Sequence, residues 1–128
     1  MQDLTSNLMS QLTNRSVEEI FPSKGYLQKL LGERKDKKKL RVYAGIDPTG
    51  DSLHIGHAIV LKKLREFQDL GHETIMLIGD FTAMIGDPTD KTAVRKKLTE
   101  KEIKHNLKAY KKQASKLLRF TGKNATKI

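Results

Sequence analysis

Apolar residues along this chain recur in three rhythms. Leu4, Leu8 and Leu12 are spaced by four, which predicts a helix with a narrow apolar stripe over residues 1–14, ending near Asn14 and Arg15. Val17, Ile20 and Phe21 form a small apolar cluster before Pro22. Ser23 can cap a second short helix in which Leu27, Leu30 and Leu31 face inward and Gly32 ends the run. A charged connector over residues 33–39 follows and reads as a solvated loop. The rhythm then tightens to that of a strand over Leu40–Ile46, broken by Asp47-Pro48-Thr49-Gly50. From Ile55 to Leu70 the apolar positions Ile59, Val60, Leu61, Leu64 and Phe67 return to helical spacing, and Gly71 supplies a stop. Thr74–Gly79 is a continuous apolar run of strand length, the kind that suits a parallel strand covered on both faces.

Strand, helix, strand in this order is a βαβ unit, with a right-handed crossover expected. The segment Asp80–Lys91 is rich in Gly, Pro and Asp and predicts a loop leaving the carboxyl end of the second strand, where open α/β sheets bind ligands. Thr99 and Glu102 form a possible capping box for a last helix. Ile103, Leu107, Tyr110, Ala114 and Leu117 give that helix an inner stripe, and Gly122 marks its expected end. Its outer face carries Lys101, Lys104, Lys108, Lys111, Lys112, Lys116 and Arg119. The domain organisation expected is a helical segment and connector over 1–38 and a nucleotide-binding α/β portion over 39–128.

Composition changes the picture in two ways. The 25 Lys+Arg against 15 Asp+Glu give a formal net charge of +10, which favours an anionic partner such as nucleic acid or nucleotide phosphate. With no cysteine, a disulfide framework and thiolate-bound zinc are excluded. No apolar run approaches the ~20 residues that span a bilayer, and no signal-peptide pattern opens the chain. A cytoplasmic protein without membrane association is the expectation.

Chemistry concentrates between the first strand and the central helix, in Pro48-Thr49-Gly50-Asp51-Ser52-Leu53-His54-Ile55-Gly56-His57. A helix N-terminus after a short turn offers backbone N–H groups and a partial positive charge to phosphate. His54 and His57, three apart, share one face of the first turn. They could be two metal ligands, but a third ligand is missing nearby, so no protein-bound metal is expected. Instead, imidazole N–H groups can donate to phosphate oxygens as charge builds up, and Gly56, without a Cβ, lets a flat base or ribose approach the backbone.

These residues carry a resemblance. Pro48–His57 is similar to the His-Ile-Gly-His signature of class I aminoacyl-tRNA synthetases. Gly45-Ile46-Asp47-Pro48-Thr49, three further residues and then Leu53-His54-Ile55-Gly56-His57 have the spacing of the tyrosyl-tRNA synthetases. The Gly79–Pro88 stretch is similar to that family's second landmark. The resemblance runs from Val17 to about Phe120. It implies a Rossmann-like α/β fold, of the class I synthetase (HUP) type, with a parallel sheet, flanking helices and preceding N-terminal helices. It implies ATP as substrate with Mg²⁺, with L-tyrosine and tRNA(Tyr) as partners, and a homodimer for the full-length enzyme. Residue by residue, it implies that His54 and His57 act on ATP phosphates and that Lys91 and Arg95 engage pyrophosphate. Gly45, Asp47, Pro48, Thr49 and Gly56 would join the two histidines around ATP, and Tyr43, Thr82 and Asp87 would bind tyrosine.

Family members also carry a Lys-Met-Ser-Lys-Ser-type loop and an anticodon-binding region, and nothing like that loop occurs in these 128 residues. The expectation is therefore an incomplete catalytic domain, the N-terminal part, with weak or no activity alone. Two alternatives remain at this point: a non-catalytic basic nucleotide- or RNA-binding module, and a small adenylyltransferase with the same His-x-Gly-His turn.

Overall fold

The computed structural model describes residues 2–32, 39–85 and 98–128. The elements follow the order α1 (Gln2–Asn14), α2 (Lys24–Gly32), β1 (Arg41–Ile46), α3 (Ile55–Asp69), β2 (Glu73–Ile78), α4 (Asp80–Ile85) and α5 (Glu100–Ala114). β1 and β2 pair in parallel, with Arg41 opposite Glu73 and Ile46 opposite Ile78. Strand side chains alternate between faces. One face of the pair therefore carries Val42, Ala44 and Ile46 with Thr74, Met76 and Ile78. The other carries Arg41, Tyr43 and Gly45 with Glu73, Ile75 and Leu77.

The first of these faces makes the core. Ile46, Leu61, Leu64, Met76, Tyr110, Ala114 and Leu118 are buried together, with Val42, Ala44, Leu53, Ile78, Leu117 and Phe120 packed at the margin. Burying each large apolar side chain contributes on the order of 1.5–3 kcal/mol. α3 and α5 thus lie on one side of the sheet. α1 rests on α3, where Lys63 Nζ donates to the carbonyls of Leu12 (3.1 Å) and Gln11 (3.4 Å), satisfying the negative end of α1.

The other face is open: Tyr43 is 68% exposed and Leu77 50%. The apolar run 74–79 is therefore covered on one side only among the described residues. Ile59 and Val60 are also exposed, while Gln68 of the same helix is buried. Phe21 does not join an apolar cluster but is exposed. Of the segment Asp80–Lys91, expected as a loop, Asp80–Ile85 form the short helix α4, and residues 86–91 lie outside the described residues. The Gly and Pro that break helices lie beyond it at 86 and 88, whereas Asp80–Ile85 contains neither. α5 begins at the expected capping box, with Thr99 N–H donating to Glu102 Oε2 (2.8 Å) and Glu102 N–H to Thr99 Oγ1 (3.3 Å). It ends at Ala114, earlier than Gly122. There the Lys116 and Leu117 amides bond three residues back, tightening the last turn, and the Ser115 hydroxyl donates to the Lys112 carbonyl.

After α5 the chain crosses back to the sheet. Lys127 bridges Ile75 in parallel, its N–H donating to Thr74 O and its carbonyl accepting from Met76 N–H. Gln68, 1% exposed, fixes this crossing. Its Nε2 donates to Arg119 O, Asn124 O and Thr126 Oγ1, and its Oε1 accepts from Arg119 N–H. Thr74 and Thr126 hydroxyls bond across the same gap (2.8 Å). A buried amide with four partners repays its desolvation, so Gln68 substitutes here for an apolar core residue.

Candidate functional site

The carboxyl ends of β1 and β2 lie side by side, joined by the Gly79 N–H bond to Ile46 O (3.1 Å). Everything that follows hangs from these two ends. From β1 the chain turns at once: Pro48 is fully buried, and Thr49 N–H donates to Asp47 O (2.9 Å). Proline's fixed φ suits such a turn. It leaves Asp47 exposed at the strand's end, facing the start of α4.

Asp47 Oδ1 accepts from the hydroxyl of Thr82 (2.8 Å), which also lies 3.2 Å from Gly79 O. A Cβ built on Gly79 would overlap both the Asp47 carboxylate and the Thr82 hydroxyl. Glycine is thus required for the strand ends to bring these two polar groups together. On the open sheet face beside them, Tyr43 and Gly45 alternate in register. Among the described residues, a Cβ on Gly45 would meet nothing within 4 Å.

At the start of α3 the two histidines cap their own helix. Gly56 N–H donates to His54 Nδ1 (3.1 Å), and His54 N–H donates to His57 Nδ1 (3.2 Å). This is the reciprocal logic of a capping box built from imidazoles instead of Thr and Glu. The rings stack with centroids 3.8 Å apart and planes tilted 33°. Because each Nδ1 accepts a backbone hydrogen, each neutral ring must carry its proton on Nε2. Burial first, and then the neighbouring His54, lower the pKa of His57 below the usual histidine range, favouring that neutral form. A Cβ on Gly56 would lie 3.0 Å from His54 Cε1, so the glycine leaves room for the ring that caps it.

Of the residues singled out in the sequence, Tyr43 and Gly45 lie in β1, Asp47, Pro48 and Thr49 follow its end, Thr82 in α4 bonds Asp47, and His54, Gly56 and His57 bond one another at the start of α3. Asp87, Lys91 and Arg95 lie outside the described residues. Sequence reasoning passed over Asn106, Gln113 and Gly79. Asn106 Nδ2 donates to Pro48 O (2.9 Å). Gln113 accepts from Leu53 N–H (2.9 Å) and donates to Asp51 O (2.7 Å). Their signal was present: both amides occupy positions on the inner stripe of α5, where an apolar residue would be the default.

Residues 35–125 match the model of the family described as tRNA synthetases class I (W and Y). The chain belongs to that family. Among its relatives are tyrosine–tRNA ligases, 49% identical over 115 residues in a Synechococcus strain and 54% identical over 91 residues in Thermotoga maritima. These alignments cover 88% and 71% of the chain but 27% and 23% of the relatives, so the chain spans about a quarter of their length. Among solved structures, a C-terminally truncated mitochondrial tyrosyl-tRNA synthetase of Aspergillus nidulans superposes with a TM-score of 0.68 at 25% identity. That match covers 90% of this chain and 32% of that one. The equivalent protein of Coccidioides posadasii gives 0.64 at 26% identity, covering 98% and 36%. The architecture is that of a class I synthetase, and the parallel pair with its helices is part of a Rossmann-like domain.

Proposed function

We propose that the chain carries part of the ATP-and-tyrosine site of a tyrosine–tRNA ligase. One observation supports this most directly: both Nδ1 atoms of the His-Ile-Gly-His turn are held by backbone N–H groups, which commits both Nε2–H groups to donation elsewhere. Two such donors beside a helix N-terminus suit the oxygens of a polyphosphate whose charge grows during transfer. Gly45, Asp47, Pro48, Thr49 and Gly56 complete the nucleotide side. Tyr43 and Thr82 address tyrosine, with Asp87 taking its ammonium and Lys91 and Arg95 the departing pyrophosphate.

The reaction is adenylation followed by transfer. The tyrosine carboxylate attacks the α-phosphorus of ATP, pyrophosphate leaves, and the tRNA 3′ end then takes the tyrosyl group from the adenylate. Mg²⁺ enters on the ATP phosphates. No protein nucleophile is required, because positioning and charge stabilisation suffice. Selection against phenylalanine rests on hydrogen bonds to the phenol, since a site built for the hydroxyl leaves its partners unpaired when the hydroxyl is missing. Tyr43 supplies one such partner.

The test is chemical-shift mapping of the chain with Mg-ATP and with L-tyrosine. Shifts at Gly56 and His57 on adding ATP, and at Tyr43 and Thr82 on adding tyrosine, are expected. Shifts confined to α5 would refute the assignment. That outcome would favour a second reading, supported by the exposed Lys101, Lys104, Lys108, Lys111, Lys112 and Lys116: a basic module that binds RNA phosphates with steep salt dependence.

A further inference from the structure

The turn between β1 and α3 has few internal bonds of its own. Between Pro48 and His54 the chain runs without regular structure, and its backbone bonds among the described residues are Thr49 N–H to Asp47 O and, where the helix begins, Ala58 N–H to His54 O. Yet the position of His54 depends on where this turn delivers the chain. What holds it comes from α5. Asn106, buried to 7% exposure, donates from Nδ2 to Pro48 O at 2.9 Å. Gln113 takes Leu53 N–H on Oε1 at 2.9 Å and gives Nε2–H to Asp51 O at 2.7 Å. Between them Tyr110, 1% exposed, places its ring 6.4 Å from that of His57.

Asn106, Tyr110 and Gln113 stand at i, i+4 and i+7, so they form one stripe along the helix. The stripe meets the turn at its beginning, at the second histidine and at its end. A primary amide suits both termini of the contact, because it can donate and accept at once. An apolar side chain of equal size would fill the space but leave buried or half-buried backbone groups unpaired.

We infer that α5 is a splint for the signature turn, with Asn106 and Gln113 as positioning residues that set the geometry of His54 and His57 toward a nucleotide. They touch no substrate. They act by fixing the backbone that carries the groups that do, and catalytic arrays lose efficiency when such backbone shifts by about an ångström. The inference rests on the nucleotide role proposed above for its functional half, and on geometry alone for its structural half.

The experiment uses the 128-residue chain, labelled for NMR, with Gln113→Met, Asn106→Leu and, as a control in the remote amide network, Gln68→Met. Three readouts are taken below the unfolding range: hydrogen exchange at the Leu53 amide, the imidazole ¹⁵N shifts of His54 and His57, and the affinity for Mg-ATP. The splint predicts faster exchange at Leu53 and loss of the clean Nε2–H pattern in both rings for the two α5 variants. It also predicts an ATP affinity reduced about tenfold, the scale of one lost hydrogen bond. Gln68→Met should lower the unfolding temperature while leaving rings and affinity alone. Gln113→Glu keeps the acceptor for Leu53 and should retain protection of that amide, which keeps the test open if the other variants do not fold.

Variants that lose stability with unchanged rings and an unchanged Leu53 amide would overturn the inference, as would disturbed rings with unchanged ATP affinity. A parent chain that binds no ATP would count against the nucleotide proposal instead, and the ring and amide readouts would still decide the splint.

Discussion

Replacing Gly45 with alanine separates stability from binding more cleanly than any other change at this site. Gly45 lies near the carboxyl end of β1 on the open sheet face, two residues from the exposed Tyr43, and among the described residues a Cβ there would meet nothing within 4 Å. It is not one of the glycines with positive φ, so alanine fits its backbone without strain. Glycine to alanine at such a position stabilises a fold by about 0.4–1 kcal/mol, because the unfolded chain loses freedom. For a domain of this size that corresponds to a rise in Tm of roughly 2–5 °C. If an adenylate lies against this strand, the new methyl group occupies space the ligand needs. Overpacking by one carbon costs about 1–3 kcal/mol. Converted at 1.4 kcal/mol per tenfold, affinity falls roughly 5- to 150-fold. Scanning calorimetry and titration with a non-hydrolysable tyrosyl-adenylate analogue measure the two effects on the same protein. A raised Tm with undiminished affinity would refute the placement of the ligand on this face.

Other consequences follow from the same geometry. Gly79→Ala has the opposite effect on stability: its Cβ forces Asp47 and Thr82 apart, so both stability and tyrosine affinity fall. The stability loss should be about 1 kcal/mol, since both freed groups are exposed and regain water, and calorimetry with tyrosine titration reads both. Gln68→Ala removes the Gln68 partner of the Asn124 carbonyl and the Arg119 N–H, while the Arg119 carbonyl keeps the Thr126 N–H and the Thr126 hydroxyl keeps Thr74, so about 2–4 kcal/mol should be lost together with the cavity it leaves. In urea titrations this appears as a lowered midpoint, and hydrogen exchange at Met76 and Lys127 should accelerate most. The lowered pKa of His57 gives stability a pH dependence. The unfolded chain takes up a proton there first, so this contribution is complete above the ordinary histidine value of about 6.5 and is lost as pH falls from there through the folded value. Tm measured from pH 7.5 down to 5.5 should therefore decline, and His57→Gln should flatten the decline. An equal slope in both proteins would contradict the assigned cause.

Local pattern revealed the elements whose partners are near in sequence. β1, α3 and β2 lie where hydrophobic rhythm predicts them, and the Thr99–Glu102 box marks the start of α5 because its bonds span three residues. Faces were harder to read. A run such as Thr74–Gly79 has the same composition whether one side or both are covered, so the exposure of Leu77 was not visible in it. Amphipathic spacing likewise put Ile59 and Val60 with Leu61, whereas the stripe that reaches the core runs through Leu61, Leu64 and Gln68. Least legible were the polar contacts over long separations. Asn106 meets Pro48 from 58 residues away and Gln113 meets Leu53 from 60, and nothing local to either amide announces its partner. The histidine pair was legible as chemistry from its spacing. Its second role, capping the helix that displays it, was not, because histidine is outside the usual set of N-cap residues.

The proposed tyrosine site is tested most directly by a pair of affinities. The non-hydrolysable adenylate analogues of tyrosine and of phenylalanine are titrated into the chain and into its Tyr43→Phe variant. The account predicts that the chain prefers the tyrosyl analogue and that the variant loses part of this preference, by roughly tenfold for one neutral hydrogen bond, while binding the phenylalanyl analogue as before. Equal affinity for the two analogues in the parent chain, or a preference untouched by Tyr43→Phe, would contradict it.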